Sequence, residues 1–188
     1  PTGPSDSTAL LDNFNIDETM TQWSRVSPEL FKCRFLNIPF QMIDFEKTGT
    51  ELSKLRLSDV IKKYDCFGVV LNTDVSSGRG KHWFCLFGDF RHEPYTLEYF
   101  NSSGNPPVDQ IDVWMQSAVF KFKQDTGKIC EVVRSMHKRI QYSQTECGVF
   151  SLMYIKSRLQ GHPSSWFYAV RADDQDMIAL RKHLFRPG

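Results

Sequence analysis

Hydrophobic and polar positions follow two different rhythms along this chain, and the switches between them mark out its elements. Three apolar runs of strand length come in close order, at 66–72 (CFGVVLN), 82–88 (HWFCLFG) and 95–100 (YTLEYF). Turn formers, among them Gly78, Gly80, Asp89 and Pro94, separate them, which predicts neighbouring strands of one core sheet. Residues 35–45 (FLNIPFQMIDF) alternate as a strand, and Pro39, which has no N–H to give to a ladder, places that strand at an edge or a bulge. Residues 128–133 return to strand character.

Between and around these runs the period lengthens to that of a helix. Residues 108–124 follow Asn105-Pro106-Pro107 and put Ile111, Met115, Ala118, Val119 and Phe122 on one face. A helix over 15–31 is predicted to open at Asp17 and Glu18, and a short one over 57–64 with Ser58 as its cap. Residues 147–155 read as an apolar-faced helix that ends near Gly161-His162-Pro163. Over 173–184 a last amphipathic helix carries Asp173, Asp174 and Asp176 at its positive end and Arg181, Lys182 and His183 near its negative end. The predicted fold is α+β, a mixed central sheet flanked by helices.

Composition narrows the picture. At 188 residues the chain suits one compact domain, expected over 10–188 after a flexible Pro/Gly/Ser-rich lead-in over 1–9. It opens on Pro1 and not on Met, as expected of a processed product or part of a longer protein. Lys plus Arg number 23 against 22 Asp plus Glu, so no global field draws the protein to nucleic acid or to a membrane surface. No apolar run is long enough to span a bilayer. The 5 cysteines are an odd number without a Cys-x-x-Cys pair or zinc-finger spacing, which points to a reducing compartment and no export. Cys66, Cys85 and Cys130 lie inside apolar runs and are expected to be buried.

Chemistry concentrates in Gln141-Tyr142-Ser143-Gln144-Thr145-Glu146-Cys147-Gly148. A cysteine in the first turn of a helix feels unpaired N–H groups that favour the thiolate, and its own amide is a candidate donor to an oxyanion. Gly148 would let the backbone approach an acyl group, while Gln144, Thr145 and Glu146 are expected to be capping and solvent-facing groups. His82 opens a strand directly after a glycine-rich turn, where an imidazole can serve as base. Trp83, on the opposite side by alternation, is placed to wall the approach. Asn101 ends the next strand and is a candidate to fix the imidazole tautomer. Singly, each has an ordinary explanation: a packed cysteine, a structural histidine, a turn asparagine.

Taken together, the order His-Trp, then Asn-Ser after an aromatic strand, then Gln-x5-Cys-Gly at a helix start resembles the clan of adenain and the ubiquitin-like-protein (SUMO) proteases. The stretches LLDNFNIDET, VLNTDVSSGRGKHW, EYFNSSGN, YSQTECGVFSLMYI and HLF resemble its viral, polyprotein-processing branch from about Leu10 to Phe185. That resemblance implies a cysteine endopeptidase cutting after Gly-Gly, acting on protein substrates with Gly-Gly-x junctions, with viral structural polyproteins processed during virion maturation. It places the protein in the host cytoplasm at the assembly site and packaged in the virion. Cys147 would be nucleophile, His82 base and acid, and Asn101 the orienting residue. Gln141, six residues before Cys147, would be the oxyanion donor with Gln144 as its rival. Trp83, Asn72 and Gln144 would contact substrate, and no metal or cofactor is implied. Other members carry Asp or Glu where this chain has Asn101, which lowers the expected imidazole pKa. Rival readings are a ubiquitin-like-protein deconjugating protease, an acetyltransferase using the same three residues, and a non-catalytic binding module.

Overall fold

Residues 1–187 are described by the computed structural model. The first helix, α1 (Asn13–Leu30), is opened by a reciprocal cap: the Asp12 carboxylate accepts from the Asn15 N–H at 2.8 Å while the Asn15 side chain accepts from the Asp12 N–H at 3.1 Å. This cap, and not Asp17 or Glu18, sets the helix start. The expected strand over 35–45 is broken at Pro39 into β1 (Phe35–Asn37) and β2 (Gln41–Met42). A single turn α2 (Phe45–Thr48), a 3₁₀ turn (Glu51–Lys54) and a one-turn α3 (Leu57–Val60) lead to the core strands β3 (Cys66–Asn72), β4 (Trp83–Asp89) and β5 (Tyr95–Phe100). Ser58 lies inside α3 and, like Arg56, bonds Asp125, so it ties two elements together and does not cap. Then come α4 (Asp109–Thr126), β6 (Cys130–Ser135), α5 (Cys147–Leu159), the short α6 (Trp166–Ala169) and α7 (Asp174–Leu184).

The sheet runs β1-β3-β4-β5-β6, with β2 continuing the β1 edge of β3. β3, β4 and β5 pair antiparallel in turn, while β1, β2 and β6 run parallel to their neighbours, so the sheet is mixed. Helices cover both faces, which explains why β3 is buried at every position and why its sequence is nearly all apolar. On one face Val70, Cys85, Phe87 and Phe100 pack against α1, α5 and α7. On the other Phe67, Val69, Leu86 and Leu97 pack against α3 and α4. The lead-in over 1–9 is not loose at its start. Thr2 bridges Arg186, the Gly3 N–H donates to the Arg186 carbonyl, and Ser5 is buried, because the strand-like end of the chain offers backbone partners to the beginning. Cys66, Cys85 and Cys130 are buried, as their surroundings predicted.

One buried polar network fixes α5 against the sheet. Glu98, on β5, accepts from Tyr154 Oη at 2.7 Å, Arg158 Nε at 2.8 Å and Thr96 Oγ1 at 2.6 Å. Arg158 reaches on to Asp89 of β4 at 2.9 Å. Since α5 carries Cys147 at its other end, this network sets the height and rotation of that residue over the strands. Arg158→Met would strand the Glu98 carboxylate in the interior, and such a loss costs about 3–5 kcal/mol. Urea unfolding is expected to show it, and a loss under about 1 kcal/mol would mean the network is dispensable.

Candidate active site

The loop joining β3 to β4 delivers His82 to a fixed place. Asn72, the last residue of β3, accepts at Oδ1 from the Asp74 N–H (2.9 Å) and the Lys81 N–H (2.8 Å), and Asp74 in turn accepts from the Gly80 N–H (3.1 Å). Gly80 takes a φ of +91°, the left-handed region that suits glycine. The Thr73 N–H closes the hairpin on the His82 carbonyl at 2.9 Å. Asn72 is therefore first a loop-building residue, although it also faces the adjoining cleft.

His82 meets Asn101 as their strand ends predicted, with 2.7 Å between Nε2 and Oδ1. The Ser103 N–H donates to the same Asn101 atom at 3.0 Å, and a backbone N–H can only donate, so that atom is the amide oxygen. His82 therefore carries its proton on Nε2 and leaves Nδ1 as the free base. Burial lowers the His82 pKa below its ordinary value, and the bond to Asn101 offsets this only in part.

Cys147 opens α5 and is buried. Burial pushes its thiol above the ordinary value, against the opposing pull of the Trp83, Gly148 and Cys147 amides. The N–H groups at the helix start do favour the thiolate, as expected, but burial outweighs them. Trp83, one residue after His82, is the first rung of β4, the strand against which α5 packs. Trp83 itself is buried, donates its indole N–H to the Leu11 carbonyl at 2.9 Å and stands edge-on to Phe40. Gly148 faces Leu11, since a Cβ there would lie 3.1 Å from the Leu11 Cβ, so its smallness serves the approach to the segment leading into α1.

The turn ahead of Cys147 is held from two sides by α7. Asp174 accepts from the Tyr142 N–H (2.7 Å), the Ser143 N–H (3.0 Å) and the Ser143 hydroxyl (2.9 Å). Arg181 and Glu146 are both fully buried and meet through two bonds of 2.8 and 2.9 Å, while Arg181 also donates to the Thr145 and Pro4 carbonyls. Glu146 was expected to face solvent, and that reading is corrected; Arg181 does lie in the last turn of α7, as expected, but it is buried there. One signal was available: Arg181 falls between Met177 and Leu184 on the buried stripe of α7. Gln141 is buried, its carbonyl taken by the Ser102 hydroxyl and its amide donating to the Ser143 carbonyl at 3.0 Å. Gln144 lies exposed in the same turn, and among the described residues no hydrogen bond occupies its amide.

Beside Trp83 a cleft of about 550 Å³ opens, walled by Leu10, Leu11, Phe40, Asn72 and Arg79. Cys147, His82 and Asn101 do not line it. Trp83 connects the two, lining the cleft while sharing a buried cluster with Cys147.

Comparison with known proteins identifies the family and the fold. The model of the Ulp1 protease family, C-terminal catalytic domain, matches residues 40–187. The SUMO-1 cysteine protease S273R of African swine fever virus (Pretoriuskop tick isolate) is 40% identical over 201 residues, spanning 98% of this chain and 70% of that protein. A crystal structure of the African swine fever virus pS273R protease matches with a TM-score of 0.87 and 35% identity, over 100% of this chain and 71% of that one. The SUMO protease Ulp1 shares the fold at a TM-score of 0.63 and 17% identity, over 96% of this chain and 77% of that one. With a family model matched over most of its length and a relative 40% identical, this chain belongs to the Ulp1 family of cysteine proteases.

Proposed function

We propose that the chain is an endopeptidase cutting after Gly-Gly, with Cys147 as nucleophile, His82 as base and acid, and Asn101 as the residue that orients the imidazole. The observation that carries this reading is the His82–Asn101 bond at 2.7 Å, at the head of the strand against which the helix opened by Cys147 packs. Cys147 gives its proton to Nδ1 of His82 as it attacks the scissile carbonyl, and His82 then protonates the departing amine. Water hydrolyses the acyl-enzyme. Substrate enters along the cleft, whose end at Trp83, held by the Leu11 carbonyl and Phe40, favours residues without side chains.

The natural substrate we propose is a viral polyprotein with Gly-Gly-x junctions. The relatives' name, SUMO-1 cysteine protease, supports deconjugation as a second reading. Both are tested with purified protein, a peptide series and a SUMO-like conjugate. Gly-Gly-x peptides are expected to be cut after the second glycine, and Ala-Ala junctions far more slowly. Equal rates on the two junctions would reject the glycine specificity, and turnover of the conjugate alone would favour deconjugation.

The pH dependence has a definite sign. His82 works as the neutral base, so the rate falls as pH drops through its pKa, and because burial has lowered that pKa the acid limb of kcat/KM is expected below 6.5. Asn101→Asp adds a negative charge that favours the protonated ring and moves the limb up. A limb that stays in place would remove Asn101 from the site.

For the second oxyanion donor beside the Cys147 amide we assign Gln144 in preference to Gln141. The clan's spacing favours Gln141, but its carboxamide already joins Ser102 to Ser143, whereas that of Gln144 is left free in the same turn. Gln144→Ala should lower kcat by about 10²–10³ with KM little changed, as loss of one oxyanion donor does. Gln141→Ala should act mainly on stability. The opposite ranking in folded variants would return the role to Gln141.

A further inference from the structure

The amide of Asn101 has two ends of nearly equal size and opposite hydrogen-bonding sense, so it orients an imidazole only if something fixes which end is presented. Tyr99 lies two residues earlier on β5, buried, with its ring packed 5.5 Å from Phe84. The Asn105 carbonyl can only accept, so the Tyr99 hydroxyl spends its one proton there, at 2.9 Å. It therefore meets Asn101 with a lone pair, which takes the Nδ2–H at 3.0 Å and leaves Oδ1 turned to His82. The Ser103 N–H and hydroxyl secure that oxygen from the other side, at 3.0 and 2.7 Å. Every bond from His82 to the Asn105 carbonyl thus points the same way. Burial pushes the Tyr99 phenol up to about 12, so it keeps its proton across the working range of pH.

We infer that Tyr99 is a positioning residue for the base: by accepting from Asn101 it fixes which end of the amide meets His82, and so which ring nitrogen is left to take the Cys147 proton. The inference rests on the catalytic reading above and adds a residue to it. It has a consequence that packing alone would not produce. A carboxylate at position 101 accepts at both ends and needs no orienting. In the Asn101→Asp protein the Tyr99 hydroxyl must turn its proton from Asn105 to the carboxylate, where it competes with His82.

Tyr99→Phe should therefore act in opposite senses in the two backgrounds. With Asn101 present, the aligned chain strengthens Oδ1 as an acceptor, and its loss lowers the imidazole pKa and loosens the ring. kcat should fall on the order of 10-fold with KM little changed, and the acid limb should move down. In the Asn101→Asp background, removing the competing donor frees negative charge for His82, so the limb should move up while kcat changes by no more than about twofold. The experiment is kcat and KM against pH for the unmodified protein, Tyr99→Phe, Asn101→Asp and the double variant. Limbs that move the same way in both backgrounds, or equal losses of kcat, would overturn the inference. Should Tyr99→Phe not fold, NMR of the unmodified protein decides it. The Asn101 side-chain amide protons are expected to exchange slowly and His82 to carry its proton on Nε2, and rapid exchange or the other tautomer would overturn it. Failure of the catalytic reading itself would look different, as turnover retained by Cys147→Ala, and neither NMR readout depends on turnover.

Discussion

Glu146 and Arg181 are charges that water does not reach, and the cost of taking them out of water is offset by their bidentate contact, by the Thr145 and Pro4 carbonyls that take two more guanidinium protons, and by the Thr145 hydroxyl that donates to Glu146. The pair lies one residue from Cys147. Through it the nucleophile turn, α7 and the start of the chain meet at a single side chain. Its electrostatic role follows from position, since an unpaired carboxylate there would raise the thiol pKa further than burial already does. With Asp174 holding the other end of the turn, α7 acts as a clamp on the segment that carries the chemistry. The Glu98–Arg158 network does the same for α5, so the thiol is fixed from both of its sides.

What this rigid frame holds are two groups whose charged forms burial disfavours. Burial raises the Cys147 thiol and lowers the His82 imidazole, so both shifts oppose charge separation before substrate arrives. An asparagine as the orienting residue fits that state, because it accepts the imidazole N–H without adding the negative charge that would favour imidazolium. In the proposed mechanism the proton moves when the thiol attacks.

The strands and long helices were legible because both faces of the sheet are covered, which leaves β3, β4 and β5 as nearly unbroken apolar runs and gives α4 and α5 plain helical periods. His82 and Asn101 were legible for the related reason that neighbouring strand ends meet. Three features were not. Asp12 opens α1 through a bond that depends on Asn15 reaching back, and no periodicity shows it. The start of the chain is composed like a loop, yet it finds partners at Arg186, which only the tertiary fold brings near. The thiol pKa turned on how deeply α5 is buried at its first residue, a quantity a helix-end argument does not contain. Gln141 marks the limit of reasoning by spacing, since its distance from Cys147 in sequence was clear but the bonds that occupy its amide were not.

The 5 free cysteines are all shielded from solvent, and the proposed mechanism requires that Cys147, and none of the other four, be activated by His82. A peptide ending in a Gly-Gly vinyl sulfone, followed by digestion and mass mapping of the adduct, tests this directly. Modification is expected at Cys147 alone, greatly slowed by His82→Ala. Modification of Cys33, Cys66, Cys85 or Cys130 at a comparable rate, or labelling of Cys147 that is indifferent to loss of His82, would contradict it.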